Sequence, residues 1–174
     1  PCLPINSYQL LNTARRAGVK LSIIESGRKV NELMPDHVIK LTIDAFNECK
    51  KSLEGSKILI MGISYKPNVK DIQLSPAEDI IKKFQNLGSI VHIYDPFFPS
   101  TKVFGLQVED NFENMLVKMD AVVIVTGHDE FKNIEIDSFL KIKSKILIDS
   151  RGIIDPILIK NKNLIFRGLG RGDF

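Results

Sequence analysis

Two stretches of this chain carry residue types that can do chemistry. The first is Cys2-Leu3-Pro4-Ile5-Asn6-Ser7-Tyr8. A cysteine near a helix N-terminus can have a lowered pKa and act as a nucleophile. Asn6 lies four residues on, within reach of the same site, and can hydrogen-bond an oxyanion or hold a water. The competing reading is an inert thiol that packs as a small apolar residue. The second stretch runs from Lys57 to Ala77, KILIMGISYKPNVKDIQLSPA. An apolar strand ends at Gly62-Ile63, a polar loop carries Tyr65-Lys66, and a helix opens at Ser75-Pro76. Ser75 and Glu78 have capping-box spacing, and Pro76 suits the first helical position. In an α/β sheet such a loop lies at the carboxyl edge of the strands, where ligands bind. Donors at the helix N-terminus favour an anion there. The competing reading is an ordinary connection with a surface lysine.

The glycines narrow the choice of anion. A dinucleotide fingerprint needs G-x-G-x-x-G at the turn from strand to helix. Here Gly62 stands alone and is followed by Ser64, Tyr65 and Lys66. A bare-backbone pyrophosphate cradle is therefore disfavoured, and a fixed cation is the better phosphate partner.

The elements that must position these residues fall into two regions. Residues 1–21 join a proline-containing start to a helical pattern over 8–17 that ends near Gly18. Over 22–53 apolar or small residues recur at helical, near-heptad spacing: Ile23, Gly27, Val30, Met34, Val38, Leu41, Ala45 and Cys49. Pro35 predicts a kink around 31–34. A long helix with one apolar stripe packs on its own domain or on a second copy, and a homodimer seam is the expectation. After Glu54-Gly55-Ser56 the pattern becomes α/β. Strands are expected at 57–63, 90–94, 121–126, 145–148 and 164–167, with a short one at 106–108. Helices are expected at 76–87, 111–118 and 136–140. The apolar runs are short and nearly continuous, as in parallel strands buried on both faces. Right-handed crossovers give a Rossmann-like, doubly wound parallel sheet. The expected division is therefore 1–53, cysteine segment and long helix, and 54–174, the doubly wound α/β domain.

Composition excludes several function classes. The 174 residues are 44% hydrophobic with a net charge of +3, and the lysines are dispersed rather than blocked. Nucleic-acid binding is not expected. No apolar run approaches a membrane span. Cys2 and Cys49 suggest no disulfide framework, which favours a reducing, cytoplasmic setting. With His37, His92 and His128 they show no metal-ligand spacing. His128 follows a strand at the ligand edge and is expected to cap a loop more than to touch substrate. His37 is expected at a surface or interface and His92 has no chemical role. Asp95 is expected to form the turn before Pro96. The chain begins at Pro1 rather than Met and is read as a piece of a longer polypeptide.

Taken together, these stretches resemble the carboxyl half of the UDP-glucose/GDP-mannose dehydrogenase family. Cys2-Leu3-Pro4-Ile5-Asn6 is similar to the second half of its G-G-x-C-x-P-K-D cysteine motif. Arg28 to Asn31 and Met34-Pro35 resemble its A-R-x-x-N-x-x-M-P. Gly62 to Ala77 resembles G-x-x-x-K-P-N-V-x-D-x-R-x-S-P-A, and Tyr94-Asp95-Pro96 resembles Y-D-P. Thr126 to Phe131 resembles T-x-H-x-E-F. Asp149-Ser150-Arg151 resembles D-x-R, and Gly168 to Gly172 the closing glycine-rich segment.

The resemblance implies oxidation of C6 of a nucleotide-linked sugar, twice, at the expense of two NAD. The aldehyde is trapped on a cysteine as a thiohemiacetal, oxidised to a thioester and released by water as a uronate for surface polysaccharides or glycans. It implies Cys2 as nucleophile with Asn6 beside it, Lys66 and Arg151 on the phosphates, and Tyr65 and Leu3 packed near the ligand. It also implies a dimer through the long helix and an NAD-binding domain upstream of residue 1, so that this chain alone does not turn over. Three positions depart from the pattern. Asn6 replaces an Asp assigned to hydrolysis, Ile5 replaces a Lys, and Gln73-Leu74 replaces an Arg-Glu pair. The apolar Ile5 points to a UDP-N-acetylhexosamine, UDP-N-acetylmannosamine or UDP-N-acetylglucosamine, rather than UDP-glucose. Asn6 keeps open a non-catalytic UDP-sugar-binding and dimerisation module. A generic NAD-binding domain is the third reading, and the missing glycine fingerprint opposes it.

Overall fold

The computed structural model describes residues 2–171, the side chains of Cys2 and Leu3 excepted. Five parallel strands form one sheet: β1 (Lys57–Met61), β2 (Ile90–Tyr94), β5 (Ala121–Ile124), β6 (Ile146–Asp149) and β7 (Ile165–Gly168). Their order is β2-β1-β5-β6-β7, and a two-stranded hairpin, β3 (Lys102–Val103) with β4 (Leu106–Gln107), lies beside β2, joined to it by a bridge between Ile93 and Val108. The order reverses direction between β1 and β5, which makes the crevice between their carboxyl ends the ligand position of a doubly wound sheet.

Alternation along each strand splits the core into two layers. Ile58 and Ile60 of β1, Val123 of β5 and Ile148 of β6 face α3 (Met34–Glu48) and α4 (Pro76–Asn86), packing on Val38, Phe46, Ile80 and Phe84. Leu59, Met61, Val122 and Leu147 face the other way, onto α5 (Phe112–Leu116), α6 (Asp129–Lys132) and α7 (Ile136–Phe139). All four residues of β5 and of β6 are buried, which is why these strands read as unbroken apolar runs.

Local chemistry sets the boundaries. β1 stops at Met61, two residues short of the expected end, because Gly62 turns to φ +84° and a Cβ there would lie 2.4 Å from the Thr126 carbonyl oxygen. Ser75 caps α4 by accepting from the Ala77 N–H at 3.2 Å, with Pro76 in the first turn. The first helix, α1 (Cys2–Arg16), begins six residues earlier than the expected 8. Pro4 falls in its first turn, where a missing N–H costs no helical bond. The helical stretch expected over 22–53 is α2 (Ser22–Glu32) followed by α3, meeting at Leu33 within the 31–34 kink that Pro35 predicted, and it ends at Glu48 rather than 53. Lys50 then reverses the chain at φ 55°. The apolar stripe also divides. Val38 and Ala45 of α3 are buried in the sheet's own core, whereas α2 buries no residue and leaves Ile23 89% exposed.

Candidate functional site

A cavity of about 680 Å³ opens where the helical region meets the carboxyl edge of the sheet. Pro4, Ile5 and Tyr8 of α1 form one wall, and Arg28 and Asn31 of α2 the next. Met34, Pro35 and Val38 of α3 form the floor with Pro76 and Ile80 of α4. Val125, Ser150, Arg151 and Leu169 close it from the loops after β5, β6 and β7. The surface is largely apolar, with two arginines, Arg28 and the exposed Arg151, among its lining residues. Arg28 lies 5.2 Å from the centre of the Tyr8 ring and 3.7 Å from Glu32. Its Nε is buried without a hydrogen-bond partner among the described residues. An unmatched buried N–H on a cation is costly, and an anionic acceptor in the cavity would match it.

Two sealed carboxylates build the loops around this edge. Asp149, the last residue of β6, is fully buried. It accepts from the N–H groups of Arg151 (2.9 Å), Gly152 (2.8 Å) and Ile154 (2.8 Å). Arg171 ties the same turn from outside, donating to the carbonyls of Ile154 and Gly152. Arg151 is thereby presented on the cavity wall by a backbone that has few other conformations open to it. Asp95 does the corresponding work after β2. One of its oxygens accepts from the N–H of Ile63 (2.8 Å) and Ser64 (3.1 Å), from the Ser64 hydroxyl (3.1 Å) and from His128 Nε2 (3.0 Å). The other accepts from Phe97 N–H at 2.9 Å. Burial pushes the Asp95 carboxyl up, but the His128 hydrogen bond and the amides of Ile63 and Phe97 outweigh it, and the group lies below its ordinary value.

The sequence-predicted residues divide among these features. Arg151 lines the cavity. Tyr65 and Lys66 do not; they sit on the loop between β1 and α4, with the Lys66 ammonium 5.6 Å from the centre of the Tyr65 ring. Lys66 is exposed and Tyr65 half-buried. Asn6 is exposed on α1, beside Ile5 of the wall. Cys2 opens α1, but its side chain, that of Leu3, and Gly172 lie outside the described residues. His128 is fully buried and accepts from Asn68 N–H at 2.9 Å, which makes it a loop anchor. His92 pairs with Glu109 at 2.9 Å. Sequence reasoning treated Arg28 and Asn31 as part of a helix seam. Their i, i+3 spacing marks one helical face, and a basic residue beside an apolar stripe was the available signal.

A dinucleotide has no cradle here. The space against Gly62 is filled by the Thr126 backbone, and the loop that follows carries side chains rather than glycines. No group of three or more histidine, cysteine or carboxylate side chains suited to a metal occurs among the described residues. No helix among them is long and apolar enough to cross a membrane.

Residues 59–156 match a family model described as "UDP-glucose/GDP-mannose dehydrogenase family, UDP binding domain". A UDP-N-acetyl-D-mannosamine dehydrogenase of Pyrococcus horikoshii is 33% identical over 99% of this chain and 38% of its own length. A UDP-glucose 6-dehydrogenase of Bacillus subtilis is 29% identical over 98% of this chain and 37% of its own. Among solved structures, the UDP-N-acetylmannosamine dehydrogenase of P. horikoshii superposes with a TM-score of 0.86 at 31% identity, covering 99% of this chain and 38% of that one. An NDP-N-acetyl-D-galactosaminuronic acid dehydrogenase of Methanosarcina mazei gives 0.83 at 26% identity, over 95% of this chain and 36% of that one. The chain thus spans under two fifths of the relatives it matches.

Proposed function

Because the chain belongs to the UDP-glucose/GDP-mannose dehydrogenase family, we propose that it holds the nucleotide end of a UDP-sugar. It would do so within an NAD-dependent 6-dehydrogenase whose cysteine it also supplies. The observation that carries the reading is the family match to 59–156, which spans the loop bearing Lys66, the switch point and the turn bearing Arg151. The cavity adds physical support, since two arginines lining an apolar wall suit a phosphorylated ligand with a ring to pack. Arg151 and Lys66 take the phosphates, and Tyr65 and Leu3 pack beside the ligand. The substrate is a UDP-N-acetylhexosamine, UDP-N-acetylmannosamine first, in keeping with Ile5 on the cavity wall and with the names of the relatives. Cys2 adds its thiolate to the C6 aldehyde carbon, and the displaced electron pair on oxygen takes a proton, giving a thiohemiacetal. The water that later frees the uronate is arranged near Asn6. An amide cannot act as a base, so Asn6 orients that water and does not deprotonate it.

NAD is required as hydride acceptor, and the described residues do not fit it. The dinucleotide is therefore assigned to a domain upstream, and this chain alone is inactive. Two copies pair through the helical stretch 22–53, with Ile23, Val30 and Leu33 of its exposed first half in the seam. The setting is the reducing cytoplasm, where the free thiol of Cys49 is retained.

Calorimetry with UDP, UDP-N-acetylglucosamine, UDP-glucose and NAD tests the reading. A UDP compound at about a hundred times its Kd stabilises the fold by about 2.7 kcal/mol. UDP compounds should bind and NAD should not. Binding of NAD alone, or of nothing, sinks the proposal. Asn6 favours a second reading, a UDP-sugar-binding and dimerisation module without catalysis. Joined to an NAD-binding domain, the chain should reduce NAD with UDP-N-acetylmannosamine and lose this with Cys2→Ser. UDP binding without turnover would select the module.

A further inference from the structure

The segment Tyr65-Lys66-Pro67 lies in a long irregular loop, yet one buried carboxylate grips it on both sides. On the near side Asp95 takes the N–H groups of Ile63 and Ser64 directly, at 2.8 and 3.1 Å. On the far side the same oxygen takes His128 Nε2 at 3.0 Å, and His128 Nδ1 takes the N–H of Asn68 at 2.9 Å. A ring nitrogen that accepts from a backbone N–H carries no hydrogen. The proton of the neutral ring is therefore on Nε2 and is donated to Asp95. Phe97 stacks on the ring at 4.9 Å and Phe131 meets it edge-on at 5.3 Å, which fixes its plane. Asn68 holds a left-handed φ of 59°. It exchanges two hydrogen bonds with Asp129, Nδ2 to the carboxylate at 2.6 Å and Asp129 N–H to Oδ1 at 3.1 Å. Burying a polar pair costs more than an apolar filling would; what the pair adds is direction.

We propose that His128 is the positioning residue of the Lys66 segment, setting through the Asn68 N–H where the ammonium stands and so how tightly the chain holds a diphosphate. This rests on the reading that Lys66 contacts the phosphates. His128 touches no ligand itself.

The test is titration calorimetry of this chain with UDP. In His128→Gln the amide N–H can still reach Asp95, but nothing stands in the place of Nδ1. In His128→Asn the carbonyl oxygen falls near Nδ1 and can accept from Asn68, while Asp95 keeps its other donors. Lys66→Ala and His128→Gln should each weaken UDP about ten- to a hundredfold. His128→Asn should restore affinity to within about threefold of wild type. In the Lys66→Ala background His128→Gln should add less than about twofold, because the group it positions is gone. A purely structural histidine would give equal losses in Gln and Asn variants, tracking Tm, and a full further loss on top of Lys66→Ala; either result overturns the proposal. If Lys66→Ala binds UDP like wild type, the phosphate reading of Lys66 fails and this proposal falls with it. If Lys66→Ala is weak and His128→Gln is not, only the positioning role fails. Should the Gln variant not fold, the Asn variant decides: near-wild-type affinity supports the Asn68 arm and a loss like that of Lys66→Ala refutes it.

Discussion

A carboxylate sealed from water survives as an anion only when donors surround it. Asp95 and Asp149 meet that condition by the same device, collecting backbone N–H groups from loops that would otherwise be free to wander. The loops at the carboxyl edge are thus shaped from beneath, by charge at the strand ends. The consequence for Asp95 is measurable. Its folded-state pKa is lowered from the ordinary 3.8. A depressed carboxylate contributes stability that is present above the unfolded value and is lost as pH falls through the folded one. Asp95→Asn keeps one acceptor oxygen for the four donors but turns an amide N–H towards Phe97 N–H and removes the charge, and should cost about 3 kcal/mol at pH 7. Urea unfolding at pH 7 and again at about pH 3 checks this. The gap between wild type and variant should shrink at the lower pH, because protonation removes the wild-type advantage. An equal gap at both would show that the charge is not what holds the loops.

At the scale of elements, α2 and α3 share one sequence pattern and have opposite surroundings. Phe46 of α3 is 1% exposed and Ile23 of α2 is 89% exposed. Phe46→Ala should therefore cost about 3–5 kcal/mol through lost burial and a cavity, whereas Ile23→Ala should stay within about 0.5 kcal/mol in the monomer. Thermal unfolding of the two variants at low protein concentration separates them. Periodicity could not have drawn this distinction, because it reports that a face is apolar and not what covers it. It did place the strands, since runs such as Ala121–Ile124 are buried on both sides and need no polar alternation. Pro35 separately marked the interruption around 31–34, realised at Leu33, because it lacks an N–H wherever it is packed. Between β1 and α4 the sequence was less informative. The motif marked Lys66, but the loop's course depends on Asp95 and on His128, which meets Asn68 from 60 residues away. Arg28 was hidden for a related reason: the cavity it lines is assembled from four helices and the loops after β5, β6 and β7, and no local window contains it.

For the whole molecule the open face of α2 raises the question of what finishes the fold. Ile23, Val30 and Leu33 are exposed at 89%, 61% and 52%, and Leu10 and Val19 nearby at 49% and 53%. Side chains of this kind scattered over a surface need no explanation. Gathered on and around α2, which buries nothing of its own, they fit a self-complementary seam. A two-fold seam repeats each contact, so a charge placed on it is felt twice. Ile23→Asp with Val30→Asp would bring four carboxylates into one apolar contact and should abolish pairing. The same change should leave the monomer's Tm almost unmoved, because neither residue touches the core. Sedimentation equilibrium over a hundredfold range of concentration reads the outcome. Wild type should move towards twice the 19.6 kDa chain mass as concentration rises, and the double variant should stay at the monomer. A wild-type chain that remains monomeric throughout, or a double variant that still pairs, would remove α2 from the seam. In the first case its apolar side chains would have to be covered by the remainder of a longer protein, which the relatives, each more than twice the length of this chain, do possess.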